Sequence, residues 1–245
     1  MKLQAPRADN ALITVFIDDF LSETGMERGL LPVHGLGIHV TLKLEDGGER
    51  ELIIDGGPLE RVARRNMEAL GIDVNRVDKA VLGLWSWHHV AAPLRMAREH
   101  VLPRDRLIIP PLPRHPSSLK ELSDAPLTLA PTRSPIYNER VIIIKGTDWI
   151  ASIIPCSVYG VEHALSSLAS VIDREKLRLS ALIGGFNISL LDSHGMRKLV
   201  KFAEKRGIEL VVPLHSVSLE AREQVLKRLN VDLPLPGAGL RVEVA

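Results

Sequence analysis

The chain is 245 residues long, 45% hydrophobic and 25% charged, the balance of an ordinary folded protein and not of a disordered or fibrous one. Lys and Arg number 31 and Asp and Glu 30, so the formal charge is +1, without the surplus of one sign that a nucleic-acid or anionic-membrane footprint requires. One cysteine, Cys156, cannot close a disulfide within the chain or build a cysteine-rich zinc module, and no run reaches the ~18 apolar residues of a membrane span.

Residues 1–7 lack the apolar run of a secretory signal, so a soluble, cytoplasmic protein is expected. Scarce glutamine (Gln4 and Gln224), high charge and 16 prolines suggest a thermophilic source. Residues 11–17 (ALITVFI) are apolar and β-branched and read as a buried strand. Residues 18–31 read as a long polar loop. Residues 37–44 alternate apolar with polar, Glu45-Asp46-Gly47-Gly48 turns the chain, and residues 51–54 return, which is a hairpin. Leu59, Val62, Ala63, Met67 and Leu70 recur at helical spacing, with Pro58 at the start and Gly71 at the end. A strand over 79–84 precedes a helix over 90–100. A strand over 106–109 leads into the irregular segment 110–116, which holds Pro110, Pro111, Pro113 and Pro116. Strands come next over 127–129, 141–145 and 150–154, then a helix over 161–171 and a strand over 179–183. An amphipathic helix over 195–206, a strand over 209–212, a helix over 219–229 and a strand over 240–244 complete the order. With no repeat and no linker, residues 1–245 form one layered α/β domain: two sheets with helices on their outer faces.

Four strands run into polar clusters at a helix start. They are Ile54 into Asp55-Gly56-Gly57, Leu82 into Trp85-Ser86-Trp87-His88-His89, Ile183 into Gly184-Gly185-Phe186-Asn187, and Val212 into Pro213-Leu214-His215-Ser216. If these strands are broadly parallel, the clusters share the C-terminal edge where open α/β sheets build their sites. Each also has a plainer reading. Asp55 caps the next helix, Gly184-Gly185 only turns, His88, His89 and His215 are ordinary histidines, and Asn187 caps the segment after it.

Taken in order, the junctions resemble the metallo-β-lactamase superfamily, nearest to its dihydropterin-aminobenzene-phosphate synthase-like, methanopterin-linked branch of archaea and bacteria. Val33-His34-Gly35-Leu36-Gly37 resembles that branch's Glu-His-Gly-Leu-Ser, Ile54-Asp55-Gly56-Gly57 its Phe-Asp-Thr-Gly, and residues 66–81 the run before its metal motif. Gly184-Gly185-Phe186-Asn187 is similar to Gly-Gly-Phe-His, and Pro213-Leu214-His215-Ser216 carries the late Pro-x-His. The resemblance covers nearly the whole chain and implies a four-layer αββα sandwich with mixed sheets and two metals at one edge.

The departures fall on the ligands. The family's His-x-His-x-Asp-His lies on Leu84, Ser86, His88 and His89, and the histidine of its Gly-Cys-Ser-His on Val158. Leu84 and Val158 have no donor and Ser86 is a poor zinc ligand, so the first metal site is lost, and with it the bridged water of a two-metal hydrolase. The second site's positions fall on His88, His89, His215 and Asn187, where three imidazoles could still hold one divalent ion, zinc by preference. By resemblance, Asp55 would orient an imidazole N–H.

Two functions are in contention. The leading one is a non-hydrolytic pseudoenzyme that binds a small molecule and has no cofactor. The alternative is a mononuclear metal-dependent hydrolase of an ester-like or phosphate-containing small molecule, or a pterin-related transferase. Trp85 and Trp87 flank the motif and either stack on a flat ligand or, as the favoured reading, fill the room left by lost metal. His34 and His163 are candidate cleft residues, and Cys156, with no basic sequence neighbour, reads as a buried, inert thiol. Segments 18–31 and 110–116 are candidate surfaces for a homodimer.

Overall fold

Among the described residues, short β-branched runs broken by Gly, Asp and Pro give twelve strands, and the apolar faces at helical period give six helices. The computed structural model describes residues 6–112, 115, 117–132, 138–189 and 191–245, so Pro113 and Pro116 of the proline-rich segment lie outside the described residues. In chain order the strands are β1 (Ala8–Ile17), β2 (Gly37–Leu44), β3 (Glu49–Asp55), β4 (Lys79–Val81), β5 (Leu107–Ile108), β6 (Lys120–Glu121), β7 (Leu127–Pro131), β8 (Arg140–Lys145), β9 (Trp149–Ile154), β10 (Arg178–Gly184), β11 (Leu210–Pro213) and β12 (Arg241–Val244). The helices are α1 (Glu23–Glu27), α2 (Glu60–Ala69), α3 (Trp87–Arg98), α4 (Val161–Glu175), α5 (Ser193–Arg206) and α6 (Leu219–Leu229).

One sheet has the order β12-β1-β2-β3-β4-β5 and the other β11-β10-β9-β8-β7-β6. Both are mixed. β3, β4 and β5 run parallel beside an antiparallel β12-β1-β2-β3 meander, and β9, β10 and β11 run parallel beside an antiparallel β6-β7-β8-β9 ribbon. Alternating residues of each strand split between two cores. Ile13, Val40, Ile54 and Val81 meet Ile142, Trp149, Ile153 and Ile183 between the sheets. Phe16, Ile53 and Ala80 face Ala63, Met67 and Met96 of α2 and α3, while Ile143, Ile150 and Leu182 face Leu165, Leu199 and Val225 of α4, α5 and α6. Strands buried on both faces read as continuous apolar runs, which is why β8 and β9 are apolar almost throughout. The result is the four-layer αββα sandwich expected from the sequence.

Strand direction decides where the chemistry can gather. β1 and β3 are each antiparallel to β2, so their C-terminal ends share an edge, and β4, parallel to β3, ends there too. In the second sheet β9, β10 and β11 end together, and antiparallel β8 begins beside them. Asp55 closes β3, Asp19, Cys156 and His215 lie two residues past β1, β9 and β11, Glu139 immediately precedes β8, and His89 sits in the first turn of α3.

Two departures from the sequence reading matter for the site. The loop over 18–31 contains the short helix α1, whose Ser22 N-cap accepts from the Gly25 amide. The β4 strand stops at Val81, not residue 84, and the next helix begins at Trp87, not residue 90, because Leu82–Gly83 turns inward toward Asp55. His88 and His89 therefore occupy the first turn of α3.

Candidate functional site

The edge is built from strained junctions. Among the described residues, Asp55 (φ 53°) at the end of β3, and Ser157 (φ 60°), Asn187 (φ 49°) and Ser216 (φ 63°), each three residues past β9, β10 and β11, hold left-handed backbone. The other non-glycine cases, His100, Lys176 and Asn230, lie at or just past helix C-termini. Such conformations cost about 1–3 kcal/mol each and persist where the surroundings over-determine them. Gly184 and Gly185 let the junctions close up. A Cβ on Gly184 would lie 2.0 Å from the Ile154 carbonyl oxygen, and one on Gly185 would meet the Pro155 and His215 carbonyl oxygens at 2.5 and 2.7 Å.

Asp55 is fully buried and does not cap α2, whose N-cap is Leu59 with no side-chain bond. Its Oδ1 accepts from the Gly83 amide at 2.8 Å, and its Oδ2 lies 2.8 Å from Nδ1 of His89. His89 is 1% exposed. Burial alone would lower its pKa, but the Asp55 carboxylate outweighs that and raises it to about 10. A second dyad comes from the other sheet. His215, just past β11, has Nδ1 2.9 Å from Oδ1 of Asp19, which follows β1. Asp19 also accepts from the amides of Gly35 and Ser216 and meets Nδ1 of His34 at 3.0 Å. Burial opposes these contacts, yet they hold its carboxyl far below the usual range. The Asp19 bond likewise raises His215 against its burial.

With each Nδ1 held by a carboxylate, the Nε2 atoms remain for a ligand, and both rings approach Cys156. The donor atoms of His89, Cys156 and His215 lie within 4.8 Å of one another. Burial would push the Cys156 thiol up, but hydrogen bonds to His215 and His89 bring it down to about 6. Sγ also lies 3.1 Å from Ser216 Oγ. The inert-thiol reading of Cys156 is therefore corrected: the basic partners missing from its sequence neighbourhood arrive from α3 and from the turn after β11. Beneath it, buried Glu139 accepts from the amides of Cys156, Ser157 and Val158 at 2.9, 2.7 and 3.2 Å. Burial and the nearby Cys156 charge raise this carboxyl to about 7 despite those three donors.

A row of imidazoles closes the mouth. The His34 ring lies 4.5 Å from His88 and 4.6 Å from His215, and His215 lies 5.0 Å from His89. His34 is exposed, whereas Nδ1 of His88 is buried without a hydrogen-bond partner among the described residues. Burial and the neighbouring imidazoles lower the His88 pKa, which favours a neutral ring.

No protein-family model matches the chain, and no curated protein does. Among solved structures it is similar to Tm1679, a metal-dependent hydrolase of the β-lactamase superfamily, with a TM-score of 0.68 and 18% identity over 96% of this chain and 99% of that one. A diphosphatase from the PhnP family matches with a TM-score of 0.53 and 15% identity, over 96% and 97% of the two chains. The fold is that of the metallo-β-lactamases.

Within this metallo-β-lactamase fold the sequence-predicted site residues divide. His34, His88, His89, His215 and Asp55 come together at the edge. The foreseen ligand set of His88, His89, His215 and Asn187 does not close around one point. Consecutive helical positions diverge by about 100°, so His89 turns inward while His88 packs edge-on against His34. Asn187 is exposed, its amide 3.4 Å from the Ser157 carbonyl oxygen. Trp85 Nε1 donates to the Pro110 carbonyl oxygen at 2.9 Å, pinning the proline segment. Trp87 is 66% exposed and lines an outer groove of about 860 Å³ between α2 and α3, so it does not fill a vacated metal position. His163 is half-buried on α4 with no side-chain partner among the described residues. At the lost positions Leu84 is buried, Ser86 is the N-cap residue of α3, and Val158 gives its amide to Glu139. The reading from sequence missed Asp19, Glu139 and Cys156. The signal for Cys156 was present, since Pro155-Cys156 follows β9 just as the four recognised clusters follow their strands. Among the described residues no helix is long and apolar enough to cross a membrane.

Proposed function

We propose that the protein is a hydrolase of ester-like or phosphate-containing small molecules whose site works with one divalent ion. The observation that carries this reading is the pair of buried imidazoles, His89 and His215, each with Nδ1 fixed by its own carboxylate, which is how proteins orient histidine ligands. The donor chemistry fits an ion: imidazole nitrogens suit zinc and its neighbours, and fewer than four protein ligands leave an open position. A bound ion would supply Lewis-acid polarisation of a carbonyl or phosphoryl oxygen. The chain's own residues do the rest. Asp55 and Asp19 hold the rings and keep their tautomers, and His34 and His88 pack beside them at the mouth, with exposed His34 on Asp19. The metal-dependent hydrolase and the diphosphatase that share the fold support the reaction class. The methanopterin-linked chemistry is not part of the proposal, because Leu84, Ser86 and Val158 remove the first metal site that the resemblance would need.

Elemental analysis of protein purified from metal-containing medium tests this reading. About one equivalent of transition metal per chain is expected, lost in His215→Ala with the fold retained. Metal-free protein that cannot be reloaded, and that is inactive toward phosphodiesters, lactones and thioesters, returns the pseudoenzyme reading to first place.

A further inference from the structure

Resting on the reading of a metal-dependent site, we propose that Cys156 is the ion's third ligand. It is shifted two residues along the β9–α4 loop from position 158, where the sequence resemblance expects a histidine, and its sulfur commits the site to thiophilic ions of the zinc class.

The loop explains the shift. Three successive amides, of Cys156, Ser157 and Val158, converge on the buried Glu139 carboxylate, and Ser157 takes a left-handed backbone at φ 60° to let them do so. Successive N–H groups wrapped round one anion form a nest. Here the anion belongs to the protein, so the loop curls about its own side chain, Ser157 Oγ ties it to the Gly185 carbonyl oxygen at 2.9 Å, and Cys156 is the loop residue whose donor atom joins the two imidazoles. Val158, two residues on, has no donor to offer.

The other group of possible donors, Asp19, His34 and His215, is a hydrogen-bond network. Asp19 Oδ1 already meets both histidines and the Gly35 amide, and Oδ2 the Ser216 amide. That leaves two nitrogens and one sulfur as the ligand set, with no carboxylate oxygen. Soft thiolate with imidazole selects zinc, cobalt or ferrous iron, whereas magnesium, calcium and manganese prefer oxygen.

The chain's one cysteine makes the test unambiguous. Full-length protein stripped with a chelator is reloaded with cobalt(II) and followed by absorbance. Wild type is expected to develop visible d–d bands together with a near-ultraviolet sulfur-to-cobalt charge-transfer band. Cys156→Ser keeps weaker d–d bands and loses the charge-transfer band. In the wild type, loading protects the thiol from iodoacetamide and stripping exposes it. Glu139→Gln, which loosens the loop without touching a donor, weakens cobalt binding by about 10- to 100-fold at an unchanged fold. Cobalt bound with d–d bands alone, and a thiol alkylated equally with and without metal, overturns the sulfur ligand and leaves the hydrolase reading standing. Failure to bind cobalt at all overturns both.

Discussion

The two histidine–carboxylate pairs of this edge use the same bond in opposite settings. Asp55–His89 belongs to the first sheet and the helix that follows it, and it is sealed, at 0% and 1% exposure. Asp19–His215 bridges the two sheets. His215 is buried, but Asp19 is only partly so and shares one oxygen with a third residue, His34, that faces solvent. The sealed pair fixes a position, and the shared pair fixes a position while staying in proton contact with water. On the proposed hydrolase reading the two settings divide the work, the sealed pair holding a ligand rigid and the open pair lying where charge can move during turnover.

Breaking the sealed pair gives the largest expected effect. Asp55→Ala leaves the His89 charge and the Gly83 amide buried without a partner, and loss of one member of a buried pair costs about 3–5 kcal/mol. Urea unfolding of the metal-free protein measures it. A loss under about 1 kcal/mol would mean that His89 is neutral and loosely held. Asp19→Asn, at the open pair, is expected to cost less than about 2 kcal/mol, because water and the remaining amide bonds compensate. It still weakens metal binding by about 10- to 100-fold, since His215 loses its orienting carboxylate. Equal destabilisation by the two variants would erase the distinction between the pairs.

The contrast also explains what the sequence revealed. The layered fold was legible because period-2 and period-3.6 apolar patterns report burial directly, and Gly and Asp-Gly marked the turns. Asp55 and His89 were legible because each follows an apolar strand of its own sheet at short range. Asp19 was not. Asp18 and Asp19 are adjacent and chemically identical in sequence, yet Asp18 turns to fully buried Arg222 of α6, and Asp19 turns to His215. That choice is set by residues 196 and more positions away. Glu139 was hidden for a related reason: its partners are backbone amides, which carry no sequence signature.

A pH series sharpens the comparison through Cys156, which both imidazoles touch. The His89 pKa is raised to about 10, so its stabilisation is full below the ordinary 6.5 and is lost as pH rises through 10. The Cys156 pKa is lowered to about 6, so its contribution is full above the ordinary 9.0 and is lost as pH falls through 6. Between about 6.5 and 9 the two slopes oppose one another, giving a plateau for the metal-free protein, and between about 9 and 10 only the His89 slope remains, so stability declines there. Glu139, raised to about 7, works against the thiol on the acid side, its stabilisation full below 4.5 and lost as pH rises through 7. The thiol limb is therefore read as the difference between wild type and Cys156→Ser in thermal unfolding. That difference should grow as pH rises from 6 to 9, and a flat difference would mean that the thiol stays protonated.

The smallest stability effect and the most selective kinetic one belong to His34. Its side chain is 60% exposed, so removing it should change unfolding free energy by no more than about 0.5 kcal/mol. His34→Ala nevertheless removes one of the two imidazoles on Asp19 Oδ1 and uncovers a face of His88 and of His215. If His34 carries protons between solvent and the open pair, the variant lowers kcat while KM and metal content hold, and small imidazole buffers restore part of the rate. A purely packing role would instead shift KM through the disturbed His88 ring and would be indifferent to buffer. The sealed pair has no such outlet, so the corresponding change at His89 should show no buffer rescue at any concentration.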